Sequence, residues 1–90
     1  MYFVIYALDV PGSPIREQLG RQHRAYLDAQ AAIIFAAGPL LDDADDTMIG
    51  SHLIIECDSR AQLDVFLADE PYFNNGLFAR VDIRRWDRRR

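Results

Sequence analysis

The sequence predicts one α+β domain with the element order β-α-β-β-α-β. Three observations lead to this fold class: four short segments are rich in β-branched and aromatic residues, two segments carry apolar residues at helical spacing, and turn residues separate them. The chain has 90 residues, enough for a single domain, residues 1–90, with a thin core. Apolar residues make up 50% of the chain, which excludes the intrinsically disordered class.

The first strand and the first helix follow one another at the start of the sequence. Residues 2–8 are apolar on both faces, as expected of a strand that is covered on both sides of its sheet. The next helix begins where Ser13 can cap it and Pro14 suits the first helical position. Its apolar stripe continues to about Gln30, so one unbroken helix is predicted from Pro14 to Gln30.

Two more strands are predicted in the middle of the chain. The second covers residues 33–38 and ends at Gly38-Pro39, and the third covers residues 49–57 with apolar residues on both faces. An aspartate-rich segment, residues 42–48, joins them as a solvated hairpin loop. Its aspartates lack the alternating oxygen spacing of a calcium-binding loop, and weak binding of a divalent cation is the alternative interpretation.

The second helix and the last strand complete the series. Ser59 begins this helix, with Gln62 three residues later as in a capping box, and Pro71 stops it. The last strand, residues 78–86, alternates apolar and charged residues. This alternation is typical of an edge strand with one face in water.

The element order is the split βαβ arrangement of the ferredoxin-like fold. Right-handed crossovers place both helices on one face of a four-stranded antiparallel sheet, with the first and third strands in the centre. The other face then needs a cover that no remaining element supplies. A second copy of the chain, packed sheet against sheet, is the simplest cover, so a homodimer is predicted.

Charge and composition exclude several classes of protein. Residues 1–83 carry a formal charge of −8, from 13 acidic residues and 5 arginines, whereas residues 84–90 form a basic tail of charge +4, from 5 arginines and 1 aspartate. An acidic body argues against a nucleic-acid partner, and the tail is interpreted as a solvated C-terminus.

No apolar run approaches the roughly 20 residues that cross a membrane, and no basic leader precedes the first strand, so a cytoplasmic protein without a membrane partner is expected. The single cysteine, Cys57, is expected to be buried and unpaired.

Two polar residues stand where the helices should present apolar side chains to the core. His23 lies four residues after Leu19 and three before Tyr26, on the apolar stripe of the first helix. Glu70 ends the stripe of the second helix, where the helix dipole disfavours a carboxylate and a specific partner is therefore expected. Imidazole can take and return a proton near neutral pH, and an adjacent carboxylate would fix its tautomer. The pair is a candidate proton-transfer site; the alternatives are a structural histidine bonded to a carbonyl and a solvated last-turn glutamate.

Ser51 and His52 are neighbours on the third strand, so they point to opposite faces of the sheet and cannot act on each other. Ser51 is a candidate ligand-binding residue, and His52 is interpreted as structural or interfacial. The two histidines share no helix face, so no zinc signature is present. No glycine-rich motif follows a strand in the way that nucleotide binding requires. Neither a metal nor a cofactor is therefore expected.

Several short motifs, in order along nearly the whole chain, resemble those of the YciI-like family, also called YCII-related proteins. They are the opening MYFVIYALDVPGS, His23 within RQHRAYL, Ala37-Gly38-Pro39-Leu40, Gly50-Ser51 and the segment EPYFNNGLF. The resemblance implies a dimeric α+β barrel built from ferredoxin-like subunits. It also implies a histidine–aspartate site in which the histidine is His23. Glu70, one methylene longer, stands where the family has the aspartate of an Asp-Pro-Tyr/Phe motif.

Two functional hypotheses follow. In the first, the chain is a cofactor-independent enzyme that uses His23 as general base and then general acid, with Glu70 orienting it, for elimination or isomerisation of a small cyclic or aromatic substrate. In that case the residues expected to bind the substrate are Ser51, Gly38, Pro39 and Tyr72. In the second, the same scaffold is a non-catalytic ligand-binding or regulatory dimer, since fold does not fix function. A weaker third hypothesis is a monooxygenase of the barrel type without heme or flavin, which would require Trp, Asn and His grouped in the cleft, whereas Trp86 lies near the C-terminus.

Overall fold

The computed structural model describes all of residues 1–90 and contains four strands and four α-helices. The strands are β1 (Tyr2–Asp9), β2 (Ile34–Leu41), β3 (Met48–Glu56) and β4 (Phe78–Trp86). The helices are α1 (Ile15–Gln18), α2 (Gly20–Ala29), α3 (Arg60–Asp69) and α4 (Pro71–Asn74), and a short 3-10 helix spans Ala31–Ile33.

The four strands form one antiparallel sheet in the order β2-β3-β1-β4. This arrangement confirms the predicted α+β, ferredoxin-like topology, including the central positions of β1 and β3. It also confirms the edge position of β4. No helix is both long enough and apolar enough to cross a membrane.

The core lies between one face of the sheet and the helices. On β1, Phe3 and Ile5 pair in register with Ile55 and Leu53 of β3, and all four side chains are buried there. Leu63 and Phe66 of α3 cover them, with half-buried side chains from α2 beside them. Cys57 belongs to this cluster and is free, as predicted.

The prediction of one unbroken helix from Pro14 to Gln30 was wrong. The chain leaves helical geometry at Leu19 (φ −108°, ψ 10°), which separates α1 from α2. The carbonyl of Arg16, in α1, accepts a hydrogen bond of 2.9 Å from the hydroxyl of Tyr72. This contact ties α1 to α4, a tertiary interaction that helical periodicity does not encode.

The second strand also differs from its prediction, because β2 runs through Gly38 and Pro39 to Leu41. A proline is tolerated there because β2 is an edge strand, hydrogen-bonded to β3 alone. The third strand begins at Met48, one residue early, and ends at Glu56.

The aspartates of the β2–β3 loop are exposed, as predicted for a solvated hairpin loop. Asp42 accepts a hydrogen bond from the backbone N–H of Ala44, and Asp45 accepts one from Thr47. The bonds from Thr47 lower the pKa of the Asp45 carboxyl. These contacts account for the acidic loop as local turn structure.

The second face of the sheet has no helix over it and carries large exposed side chains. Tyr6 and Phe35 are each 44% exposed, and Trp86 is 37% exposed. The last strand ends at Trp86 as predicted, so residues 84–86 of the basic segment belong to β4 and Asp87–Arg90 follow it. The guanidinium of Arg88 lies 4.4 Å from the ring centre of Phe35.

Candidate active site

Glu70 lies at the junction of α3 and α4 and is fully buried. Its Oε2 accepts hydrogen bonds from the backbone N–H groups of Tyr72 (3.0 Å) and Phe73 (3.1 Å), so it caps the N-terminus of α4. The expectation that the helix dipole disfavours this carboxylate was wrong. Pro71 ends α3 but also starts a new helix, whose N-terminus favours a negative charge.

The other carboxylate oxygen of Glu70 bonds Nδ1 of His23, which lies on α2. The fold therefore brings together the two residues that the sequence singled out, 47 positions apart. Because a carboxylate accepts, the neutral imidazole carries its proton on Nδ1, and Nε2 keeps a lone pair. The His23 side chain is 15% exposed, so ligands can reach the ring.

Tyr72 fixes the plane of the imidazole. Its ring stacks on His23 with the centroids 3.9 Å apart and the planes 11° from parallel. The hydroxyl is held by the carbonyl of Arg16. Burial raises the pKa of the Tyr72 hydroxyl, against the opposing charges of Arg16 and Arg24, so the phenol remains a hydrogen-bond donor at neutral pH.

Arg16 is a member of this site that the sequence analysis did not single out. It donates two hydrogen bonds of 2.8 Å to Asp9 and one of 2.9 Å to the hydroxyl of Ser51. Burial alone would lower the pKa of Arg16, but the hydrogen bond and charge of Asp9 outweigh burial and raise it. A signal was present in the sequence: Arg16 precedes His23 by seven residues, two helical turns, although α1 and α2 are not continuous.

These side chains surround a cavity of about 250 Å³ between the helices and the sheet. Its polar wall consists of Arg16, His23, Arg24, Ser51 and Tyr72. The rest of the wall is formed by Leu27, Leu53, Met48, Ala37, Gly38 and Pro39. The volume lies just below the range of about 300–1,000 Å³ that is usual for ligand pockets.

All four predicted substrate-binding residues, Ser51, Gly38, Pro39 and Tyr72, line this cavity, whereas Glu70 lies behind His23 and does not. Whether they bind a substrate stays a prediction.

His52 pairs in register with Tyr6 and Gly38 and is not in the cavity wall, as strand alternation predicted. Trp86 lies at the far end of β4, in another pocket, away from His23. No group of three or more His, Cys, Asp or Glu side chains is arranged to hold a metal ion.

The chain is similar to a known protein domain and to a solved enzyme structure. The YCII-related domain matches residues 1–87. A 5-chloro-2-hydroxyhydroquinone dehydrochlorinase from Burkholderia phenoliruptrix, solved in complex with 2,5-dihydroxybenzoquinone, is 37% identical and superposes with a TM-score of 0.90, over 97% of this chain and 94% of that one. No protein with a curated description matches the sequence significantly.

Two more distant structures share the fold alone. A protein from Pseudomonas aeruginosa is 20% identical with a TM-score of 0.58, over 97% of this chain and 91% of that one. A protein from Mycobacterium tuberculosis is 17% identical with a TM-score of 0.54, over 99% of this chain and 97% of that one. Together with the domain match and the dehydrochlorinase, they agree with the topology described above. The chain belongs to the YCII-related family.

Proposed function

We propose that this protein is an enzyme that performs acid–base elimination or isomerisation on a small hydroxylated ring. One observation carries the proposal: His23 lines a cavity while its Nδ1 is bonded to the fully buried Glu70. This leaves Nε2 as the basic nitrogen for a ligand in the cavity. The dehydrochlorinase named above acts on a compound of the same class, which supports the substrate assignment.

The chemistry is easiest to follow for a halogenated hydroquinone. His23 takes a proton from a hydroxyl next to the carbon that bears the halogen. The O–H electrons form a carbonyl, the adjacent ring π pair moves to the halogen-bearing carbon, and this halogen-bearing carbon takes the proton back from the imidazolium. His23 then accepts the proton of the para hydroxyl, whose electrons form the second carbonyl as the halide leaves with the carbon–halogen pair. The net change is loss of HX to give a quinone, and no external oxidant is needed because the halide carries the two electrons away.

Glu70 supports the imidazole in this proposal without touching the substrate. It holds the tautomer and offsets the positive charge that His23 acquires after each proton abstraction. The side chain is one methylene longer than the family's aspartate, and it still bonds His23 and two backbone N–H groups at once. These contacts support the view that glutamate serves here in place of aspartate.

Arg16 and Ser51 support binding of a substrate oxygen. Asp9 and the carbonyl that accepts from Tyr72 keep α1, and with it Arg16, against the cavity. A donor held in this way before the substrate arrives costs little reorganisation when charge develops on an oxygen.

A second copy of the chain completes the assembly that we propose. Only 14 of the 90 residues are buried in one chain, and Tyr6, Phe35 and Trp86 remain exposed on the uncovered sheet face. Packing two such faces together would remove this apolar surface from water.

The test is release of chloride from 5-chloro-2-hydroxyhydroquinone by wild type, His23→Gln and Glu70→Gln, with circular dichroism to confirm folding. Loss of general acid–base catalysis costs about 10²–10⁴-fold, so His23→Gln should lose at least a hundredfold in kcat. Glu70→Gln should lose less, because the imidazole remains while its orienting charge is gone. Unchanged chloride release by folded His23→Gln would contradict the proposal.

The same measurement separates the enzyme from a non-catalytic binding protein. A binding protein would take up the ring compound, seen by isothermal titration calorimetry, yet show no chloride release above the uncatalysed rate. If hydroquinones that carry different halogens all gave that result, the ligand-binding alternative would be favoured.

A further inference from the structure

Two guanidinium groups face the candidate cavity, but only one of them has a carboxylate partner. Arg16 is held by both oxygens of Asp9. Arg24 follows His23 directly on α2, lines the same cavity and makes no ion pair within the chain. A cation at a cavity wall without an anionic partner is a candidate for binding a negatively charged ligand.

Gly20, which has no side chain, leaves room for the guanidinium of Arg24. Gly20 is buried one turn earlier on α2, and a Cβ atom there would lie 3.0 Å from Nη1 of Arg24 and 3.5 Å from the hydroxyl of Tyr72. The guanidinium therefore lies back along the helix, above a residue that has no side chain and beside Tyr72. The charges of Arg16 and Arg24 both lower the pKa of the Tyr72 hydroxyl, an effect that burial outweighs, which agrees with two cations near that ring.

The two carboxylates near the site, Asp9 and Glu70, already have partners. Neither Asp9 nor Glu70 belongs to the cavity wall, and Glu70 is fully buried behind His23. Asp9 is committed to Arg16 and Glu70 to His23 and α4. Arg24 is thus the one arginine on the cavity wall without a carboxylate within ion-pair distance.

We propose that Arg24 selects the ionised form of the ring substrate by pairing with an anionic ring oxygen, so that the site prefers hydroxyquinone and phenolate anions over neutral phenols. This inference rests on the proposed function, which assigns a hydroxylated ring to the cavity. A guanidinium pairs well with such an oxygen because its N–H donors are fixed in a plane and always charged. The same contact stabilises the negative charge that grows on the ring while His23 removes a proton.

The test compares Arg24→Gln with Arg21→Gln, a matched control that removes an exposed arginine from the same helix but not from the cavity wall. The anionic probe is 2,5-dihydroxybenzoquinone, whose hydroxyls are vinylogous acids and ionised at neutral pH, and the neutral probe is hydroquinone. Calorimetry should show that Arg24→Gln binds the anion about tenfold more weakly or worse, since a charge-assisted hydrogen bond contributes at least that factor. Arg24→Lys should keep part of the affinity, and Arg21→Gln all of it.

The outcomes separate this inference from the proposed function. Equal binding of the anion by wild type and Arg24→Gln, or an equal loss for hydroquinone, would overturn the role of Arg24 and leave the His23 chemistry standing. If Arg21→Gln lost as much affinity for the anion as Arg24→Gln, the effect would come from the net charge of the protein, and the specific role of Arg24 would be overturned. If wild type binds neither probe, the assignment of a ring ligand fails, and this inference fails with it. Because binding is measured without turnover, an inactive His23→Gln background should give the same dependence on Arg24.

Discussion

The two faces of the sheet have opposite characters, although the same strands form both. On β3, Ser51, Leu53 and Ile55 point toward the helices and are 4%, 1% and 0% exposed. Their neighbours His52 and Ile54 point the other way and are only half-buried. A single strand therefore supplies part of the candidate site with one set of alternate residues and the uncovered surface with the other.

The difference shows what a helical cover contributes. On the helix-covered side, polar groups such as Glu70 and Arg16 have fixed hydrogen-bond partners and lie at or behind the wall of the cavity, partly removed from solvent. Electrostatic interactions are stronger in such surroundings than in water. The uncovered face carries the exposed side chains of Tyr6 and Phe35, and its ion pair between Arg80 and Asp82 lies in contact with solvent.

The largest expected effect is the loss of stability when one side chain on each face of β3 is truncated to alanine. Leu53→Ala leaves a hole in the helix-covered core and should lower the free energy of unfolding by about 2–5 kcal/mol. Ile54→Ala should cost less at low protein concentration, where the other face is free. Urea denaturation at two protein concentrations measures both. A cost for Ile54→Ala as large as that for Leu53→Ala, and independent of concentration, would break the contrast between the faces.

A charge placed on the uncovered face should separate the two subunits of the proposed dimer. Phe35→Asp puts a carboxylate among side chains that would be desolvated on association, so light scattering at micromolar concentration should report a monomer. Val65, 68% exposed on α3, offers the matched control, and Val65→Asp should leave the mass unchanged. A wild-type chain that is monomeric under the same conditions refutes the dimer.

The smallest expected effect is a loss of stability at high pH from the helix-covered side. The Tyr26 hydroxyl donates to the carbonyl of Phe66 at 2.7 Å, and burial, together with the charges of Asp69 and Glu70, raises its pKa. The folded state then holds this proton more tightly than the unfolded state, whose tyrosine pKa is about 10. Stability should be unaffected below that pH and fall above it, and Tyr26→Phe should reduce the slope. The measurement is the urea midpoint as a function of pH. If wild type and Tyr26→Phe lost stability equally steeply above about pH 10, the role assigned to Tyr26 would be contradicted.

Much of the fold followed from local pattern. Two-sided apolar strands indicated the central positions of β1 and β3, and the alternation in β4 indicated an edge. The capping box was also readable, since Ser59 accepts from the N–H of Gln62 at 3.2 Å. The pattern failed at Leu19, three residues after the Arg16 carbonyl that bonds Tyr72 of α4, and at Pro39, which the edge position of β2 tolerates.

The sequence by itself determined that His23 and Glu70 occupy core-facing positions, because helical spacing alone fixes which side of a helix a residue takes. Only the tertiary structure decided what surrounds them. Glu70 caps a helix that begins at Pro71, and Arg16 and Arg24 line the same cavity, although only Arg16 has a carboxylate partner. Periodicity is a property of neighbouring residues, whereas hydrogen-bond partners 47 or 56 positions apart exist only once the chain has folded.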